Sequence, residues 1–559
     1  MRPVAVGAER QLKGEARVMH IDTIIENARI LTHDARRPRA HRIGVLGQRI
    51  VGLDEELHGV RATRRLNARG ATIMPGFNDA HAHTVWFGQT LAELDLSRAA
   101  TPDEIYGLVS ARASEGDGWL VASGFNPLGL SGALDRDALD RAAGGRPVWI
   151  KHTSGHAYTL NGIGLTRLGI GESAGPQIDG GRVVTNAEDR PTGLLEENAM
   201  RLVQDVLQPD SEAAVRDALA RATRHYATEG ITSVTDAGIA GGWIGHTPRE
   251  FACYQSARDA GLLRTRLQAM ITVDALHVLA GHGEDPPAVG LDAGIRSGVG
   301  DEWLQIGPTK IFTDGSLLGA TAAMTQEYCR SHGNVGYFQG DTGAMRSQAL
   351  LAAAAGWSLA LHAIGDRAVD FALDTIEQAR VTCGAPRLPH RIEHGGVVRP
   401  DQVTRMARLG VALVPQPLFI AKYGDGMAAK LGPDRTLLSY PAASVLRAGG
   451  VLAGSSDRPV APGAPLPIVQ AFVQRLTESG APYAPDERLS VAQALHAYTV
   501  GSAIATGWAD DKGTLSTGML ADLAVLADDP HEVPVERIGA IEVVATVVGG
   551  TFVHGGFDE

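Results

Sequence analysis

Between Pro75 and about Thr506 the chain repeats one pattern: a short apolar run ending in polar residues, then an Ala-, Leu- and Arg-rich helical stretch. GITSVTDAG follows the helical EAAVRDALARATRHYATE, and WSLALHAIGD precedes RAVDFALDTIEQAR. Parallel strands need covering crossovers, so this alternation points to parallel β-structure, either a barrel or a doubly wound sheet. The ends differ in texture. Ile21 to about Ile73 carries short β-type runs (DTIIENARILTH, HRIGVLGQRIVGLDE, ATIMPGF), and the last fifty residues return to that pattern with ADLAVLA and IEVVATVVGGTFVHG. Matching ends predict one small β domain, residues 21–74 with 507–559, beside an α/β unit over 75–506. Inside that unit, a Gly-rich, irregular stretch at about 101–198 is too long for an ordinary loop and reads as an inserted subdomain. Residues 1–20 read as a loose tail, with patterned sequence starting just after Met19.

Composition excludes several classes. Of 559 residues, 44% are apolar and 20% charged, which argues against disorder as the main state. Lys plus Arg (51) against Asp plus Glu (63) leaves a net charge of −12, a poor match to nucleic acid or an anionic membrane. No segment reaches the roughly twenty consecutive apolar residues of a membrane-spanning helix. Three cysteines, Cys253, Cys329 and Cys383, are too few for a disulfide framework. A cytoplasmic location is the expectation.

The chemistry-bearing residues fall at the ends of apolar runs. In MPGFNDAHAHT an apolar run closes at Phe77, with Asp79 in a strand-end loop, and His81 and His83 stand two apart, a spacing that puts both imidazoles on one face of a strand. Lys310 lies in LQIGPTKIFTD, where an ammonium has little solvent. Either its stem is buried and its head reaches the surface, or the amine is carboxylated to a carbamate able to bridge two cations. His362 in WSLALHAIGD and His394 in PHRIEHGG end successive strands, the edge where barrels hold catalytic groups. His390 and His496 look peripheral. Asp457 in GGVLAGSSDRPVAP is either a turn or cap aspartate or a carboxylate that ligates a metal and holds a proton. Four histidines, a lysine and an aspartate suit zinc, with manganese, cobalt or iron as substitutes. Two such ions sit roughly 3.5–4 Å apart in centres of this kind and share an activated water.

Taken together, PGFNDAHAHT, VWIKHTSGHAYTLN, TKIFTDGSLLGATAA, LHAIGDRAVD, HRIEHGG, GSSDRPV and KGTLSTGMLADLAVLADDP resemble the amidohydrolase superfamily, from about residue 21 to the C-terminus. Within it the sequence is similar to the amidohydrolase-3 branch that includes the N-substituted formamide deformylases. The resemblance implies a distorted (β/α)8 TIM barrel with a small β-sandwich built from both chain ends. It implies His81, His83 and Asp457 on one metal, and the Lys310 carbamate bridging to a second held by His362 and His394. Asp457 would then move the proton from water to the departing nitrogen. His156 matches a histidine the branch usually keeps; it either polarises the substrate carbonyl or structures the inserted loop. Asp314 and Ser316 stand near Lys310 as supporting or turn residues. Trp86, Phe87 and Phe125 are candidates for an apolar substrate wall or for core. SGFNP departs from the tryptophan-containing version common in the branch. Arg458 stands where many relatives carry a small or apolar residue, and either recognises an anionic substrate or points outward.

The expected activity is metal-dependent hydrolysis of a linear amide bond of an N-acyl or N-formyl amine, with a small-molecule substrate and a homodimer as the assembly to test for. Two alternatives stand beside it: hydrolytic deamination of a heterocycle with one metal, and a non-catalytic barrel scaffold. No strand–GxGxxG–helix fingerprint supports a dinucleotide enzyme.

Overall fold

The computed structural model describes residues 19–557, apart from 128–129, 154–156, 173–175, 179–180, 243 and 285–287 and the side chains of 197 and 198. Eight parallel strands form the central sheet: β1 (Phe77–Ala82), β2 (Ile231–Ile239), β3 (Arg266–Thr272), β4 (Leu304–Phe312), β5 (Leu359–Ala363), β6 (Arg391–His394), β7 (Ala412–Val414) and β8 (Val451–Leu452), each paired with the next in that order. All residues of β2 and β3 are buried, as expected of strands covered on both faces. The covering helices show the complementary pattern. Helix Asp366–Cys383 buries Ala368, Val369, Ala372, Leu373, Ile376 and Ala379, a stripe at three- and four-residue spacing.

The ring closes where β1 meets the extended chain after β8. Ala80 N–H donates to the Gly454 carbonyl (3.1 Å), and Asp457 N–H donates to the His81 carbonyl (2.7 Å). The molecule is a distorted (β/α)8 barrel. The apolar run read as ending at Phe77 is in fact two elements. Thr72–Pro75 belongs to an outer sheet and Phe77 begins β1, so Asp79 and His81 lie within a buried strand rather than in a loop. The turn is made at Gly76, where any Cβ would collide with the Thr232 side chain at 2.1 Å.

Both chain ends meet in the same outer sheet. Thr72–Pro75 pairs in parallel with Arg29–Leu31 and antiparallel with Leu523–Leu526. A four-stranded sheet (His20–Glu26, Ile43–Leu46, Arg49–Leu53, Arg61–Asn67) faces it, and Ile25, Val45, Leu66, Ile73, Leu523 and Val547 fill the space between. A second six-stranded sheet, with strands from Leu94–Asp95 to Pro191–Glu197, is inserted between β1 and β2.

The sandwich is fastened to the barrel by a buried ionic cluster. Asp522 accepts from Arg266 Nε (2.8 Å) and Nη2 (3.0 Å), from Lys512 Nζ (3.1 Å) and from Gly549 N–H (2.8 Å). Arg266 opens β3, whereas Lys512 and Asp522 lie near the C-terminal sheet. Removing one partner strands buried charge, which typically costs about 3–5 kcal/mol. Asp522→Ala is therefore expected to lower unfolding stability by that amount in urea titrations, and an unchanged midpoint would contradict this role.

Candidate metal centre

The groups singled out in the sequence converge at the C-terminal end of the barrel. His81 comes from β1, His83 from the turn after it, Lys310 from β4, His362 from β5, His394 from the end of β6 and Asp457 from the segment after β8. Among the described residues, His81, His83 and Asp457 form a buried group whose donor atoms lie within 4.8 Å of one another. Asp457 Oδ1 is 3.4 Å from His81 Nε2 and 3.1 Å from His83 Nε2. The His394 ring stands 4.9 Å from that of His81 and 4.4 Å from that of His362. Asp457 opens a turn, its carbonyl accepting Val460 N–H at 2.9 Å, while its carboxylate faces the two imidazoles; its φ of +57°, like the +72° of His394, puts it in left-handed backbone.

Lys310 does not reach solvent. It is 1% exposed, its Nζ has no hydrogen-bond partner and lies 4.7 Å from the Phe312 ring centroid. Burial drives its pKa down to about 8, against the opposing pull of Glu393 and Asp457, so the neutral amine is within easy reach. Burial likewise pushes His362 down to about 3, and His83 and His394 below the ordinary histidine value. Neutral imidazoles are the form that ligates metals.

The chemistry of this set fits a divalent cation. Lys310 Nζ is buried with no hydrogen-bond partner, and His81 Nε2 and Asp457 Oδ1 face each other and His83 Nε2 without a well-aligned hydrogen bond, a costly arrangement unless another group engages them. Two imidazole nitrogens and a carboxylate are a common set for such an ion.

Three supporting residues went unnoticed in the sequence. Glu393 accepts from His81 Nδ1 (2.5 Å), which directs Nε2 toward Asp457. Arg391 clamps Glu393 through Nε (2.7 Å) and Nη2 (2.8 Å) and also donates to the Ala80 carbonyl (2.6 Å). Burial alone would raise the Glu393 carboxyl, but Arg391 and His81 outweigh it and hold the group well below the usual range. Gln416 Oε1 is 2.8 Å from His394 Nδ1 and fixes that ring in the same way. Two charged residues alternating in the otherwise apolar RIEH, both fully buried, were the available signal.

Several expected substrate contacts are corrected. Phe125 packs in the core of the inserted sheet with Leu96, Ile105 and Ile150, edge-on to His152, because its strand turns it inward. Asp314 is fully buried and saturated by the backbone N–H groups of Ala323, Ile364 and Gly365, leaving no oxygen for substrate; burial raises its carboxyl to about 7. Ser316 makes a turn, accepting from Gly319 N–H. Arg458 neither faces outward nor offers its charge to a ligand: it is 2% exposed and paired with Glu229 at 2.8 Å. Trp86 does lie beside the centre, 5.8 Å from His83 between ring centroids, on a recess shared with Asp236, Ile244 and Glu250. His390 is structural, accepting Leu359 N–H through Nδ1. His156 lies outside the described residues.

Glu393→Gln is expected to weaken metal binding about 10- to 100-fold, the usual penalty for losing a carboxylate behind a metal-binding histidine. Metal titration against a competing chelator measures it, and unaltered affinity would contradict the role.

Comparison with known proteins identifies the family and the fold. Residues 64–554 match the amidohydrolase family. The chain is 30% identical over 548 residues to Protein LONG AFTER FAR-RED 3 of Arabidopsis thaliana, covering 95% of this chain and 91% of the relative. It is 29% identical over 552 residues to an N-substituted formamide deformylase of Arthrobacter pascens, covering 95% and 97%. The structure of an uncharacterized metal-dependent hydrolase from Pyrococcus horikoshii OT3 superimposes with a TM-score of 0.75 at 24% identity, covering 92% of this chain and 99% of that one. The chain belongs to the amidohydrolase family.

Proposed function

We propose that the protein hydrolyses the linear amide bond of an N-acyl or N-formyl amine at a centre of two divalent ions, zinc being the first choice. The observation that carries this reading is the convergence of buried His81, His83 and Asp457 donor atoms, with the unpartnered Lys310 Nζ, at the end of the barrel where catalytic groups collect. Similarity to an N-substituted formamide deformylase over almost the whole chain supports the substrate class. A cytoplasmic location belongs to the same proposal.

In this reading His81, His83 and Asp457 hold one ion, and His362 and His394 hold the other. Lys310 would contribute to holding them as a carbamate: its neutral Nζ adds to carbon dioxide, an N–C bond forms as a C–O π bond opens, a proton leaves, and two oxygen donors become available. Bound there, the ions supply Lewis acidity toward a carbonyl and lower the pKa of water. Asp457 takes the proton from the attacking water and returns it to the departing amine nitrogen. Glu393 keeps the proton of His81 on Nδ1, so that Nε2 stays a donor. Trp86 forms part of the substrate wall. His156 is assigned to the substrate carbonyl.

The test is a hydrolysis screen of formamides, acylated amines, amino-acid amides and carbamates on zinc-loaded enzyme. Chelation is expected to abolish activity and zinc to restore it. Asp457→Asn is expected to lower kcat/KM by at least about 100-fold, the lower range for losing a positioned proton carrier. Lys310→Ala is expected to drop metal content from two ions per chain to one or fewer, with activity lost. A variant at Lys310 that keeps one ion and most of its activity would favour one-metal deamination of a heterocycle instead.

A further inference from the structure

We propose that Arg458 is a positioning residue that sets the distance between the Asp457 carboxylate and His83, and through it the donor geometry of the metal centre. This rests on the reading of His81, His83 and Asp457 as metal donors.

The backbone brings the two segments side by side. Asp457 N–H donates to the His81 carbonyl at 2.7 Å, and His83 N–H donates to the Arg458 carbonyl at 2.8 Å. These bonds, with Asp79 accepting both the N–H and the hydroxyl of Ser456, align the chains through the backbone. The Arg458 side chain adds a tie to the helices on either side. Its guanidinium carbon lies 4.5 Å from the centroid of Phe87, on helix Thr84–Thr90, which starts directly after His83. It also lies 5.1 Å from the centroid of Tyr226, on helix Glu212–Thr228, which leads into β2. The two rings are themselves stacked, 5.4 Å apart and inclined by 10°. Nη1 then pairs with Glu229 at 2.8 Å, and Glu229 also meets His225 Nε2 at 3.2 Å.

One buried side chain thus joins the Asp457 segment to the helix after His83 and to the helix before β2. A planar guanidinium can lie against rings and pair with a carboxylate at once, whereas an ammonium cannot match both geometries. The residue opposite is small for the same reason: a Cβ at Gly463 would stand 1.9 Å from Arg458 Nε and 2.5 Å from Cζ. Gly463 therefore makes room for the guanidinium, and a methyl group there would push it off the rings.

The experiment compares Arg458→Met, Arg458→Lys and Gly463→Ala with the wild type, reading zinc affinity against a competing chelator, the visible spectrum of the cobalt-substituted protein, and thermal unfolding. Arg458→Met is expected to lose about 10- to 100-fold in affinity, as for other residues that orient metal ligands, and to shift the cobalt bands. Arg458→Lys should recover part of both, since it keeps the charge beside Glu229, and Gly463→Ala should move them in the same direction as Arg458→Met. A folded Arg458→Met protein with wild-type affinity and cobalt bands, even with a lowered melting temperature, would overturn the proposal by reducing Arg458 to a packing role. Should that variant not fold, unaltered affinity and spectrum in Gly463→Ala would overturn it equally. A wild-type protein that takes up neither ion would instead remove the metal reading itself, and this proposal with it.

Discussion

The seam at which the barrel closes is the constraint on which the site depends. β1 does not pair with a regular strand on its open side; it bonds to the irregular chain after β8 through Ala80 to Gly454 and Asp457 to His81. Asp79 reinforces the seam by accepting both the N–H and the hydroxyl of Ser456, at 3.0 and 2.5 Å. Because His81 and Asp457 bond through their backbones, their side chains must emerge next to each other into the same cavity. A regular β8 running to Asp457 would have carried that carboxylate along the strand instead of turning it inward. The left-handed backbone of Asp457 is the local cost of the turn, on the order of 1–3 kcal/mol.

Charge burial around this seam is organised in pairs. Arg391 satisfies Glu393, Glu393 orients His81, and Arg391 also caps the Ala80 carbonyl, so one guanidinium supports both the strand and the ligand. Asp314 performs a comparable task without a counter-charge, using three backbone N–H groups to hold the chain between β4 and β5 beside His362. What these supports leave over is a small set of buried donor atoms, among them Lys310 Nζ, without a well-aligned hydrogen bond. Supporting residues that fix the orientation of the donor side chains are the pattern expected of a ligand-binding centre.

Much of this was legible beforehand because it is local. Strand–helix alternation follows from hydrophobic period, and residues at the ends of apolar runs project at the rim of a barrel, so His81, Lys310, His362, His394 and Asp457 were recognisable as candidates. The misreadings share a different cause. Phe125, Asp314 and Arg458 each stand close in sequence to a motif, and each is turned away from the site by its packing: into the core of the inserted sheet, onto backbone amides, and against Phe87 and Tyr226. Glu393 and Arg391 escaped notice because a charged residue in a short strand gives no sign of its partner, which lies 312 residues away for Glu393 and His81.

The sequence by itself determined the parallel α/β architecture, the β texture of the two ends and the residue types available for metal chemistry, since periodicity and composition act over a few residues at a time. Tertiary structure alone decided which donors meet, which charge neutralises which, and that Lys310 is sealed from solvent. Those are properties of distance and burial, and they arise only when the ring closes and brings residues hundreds of positions apart into one buried space.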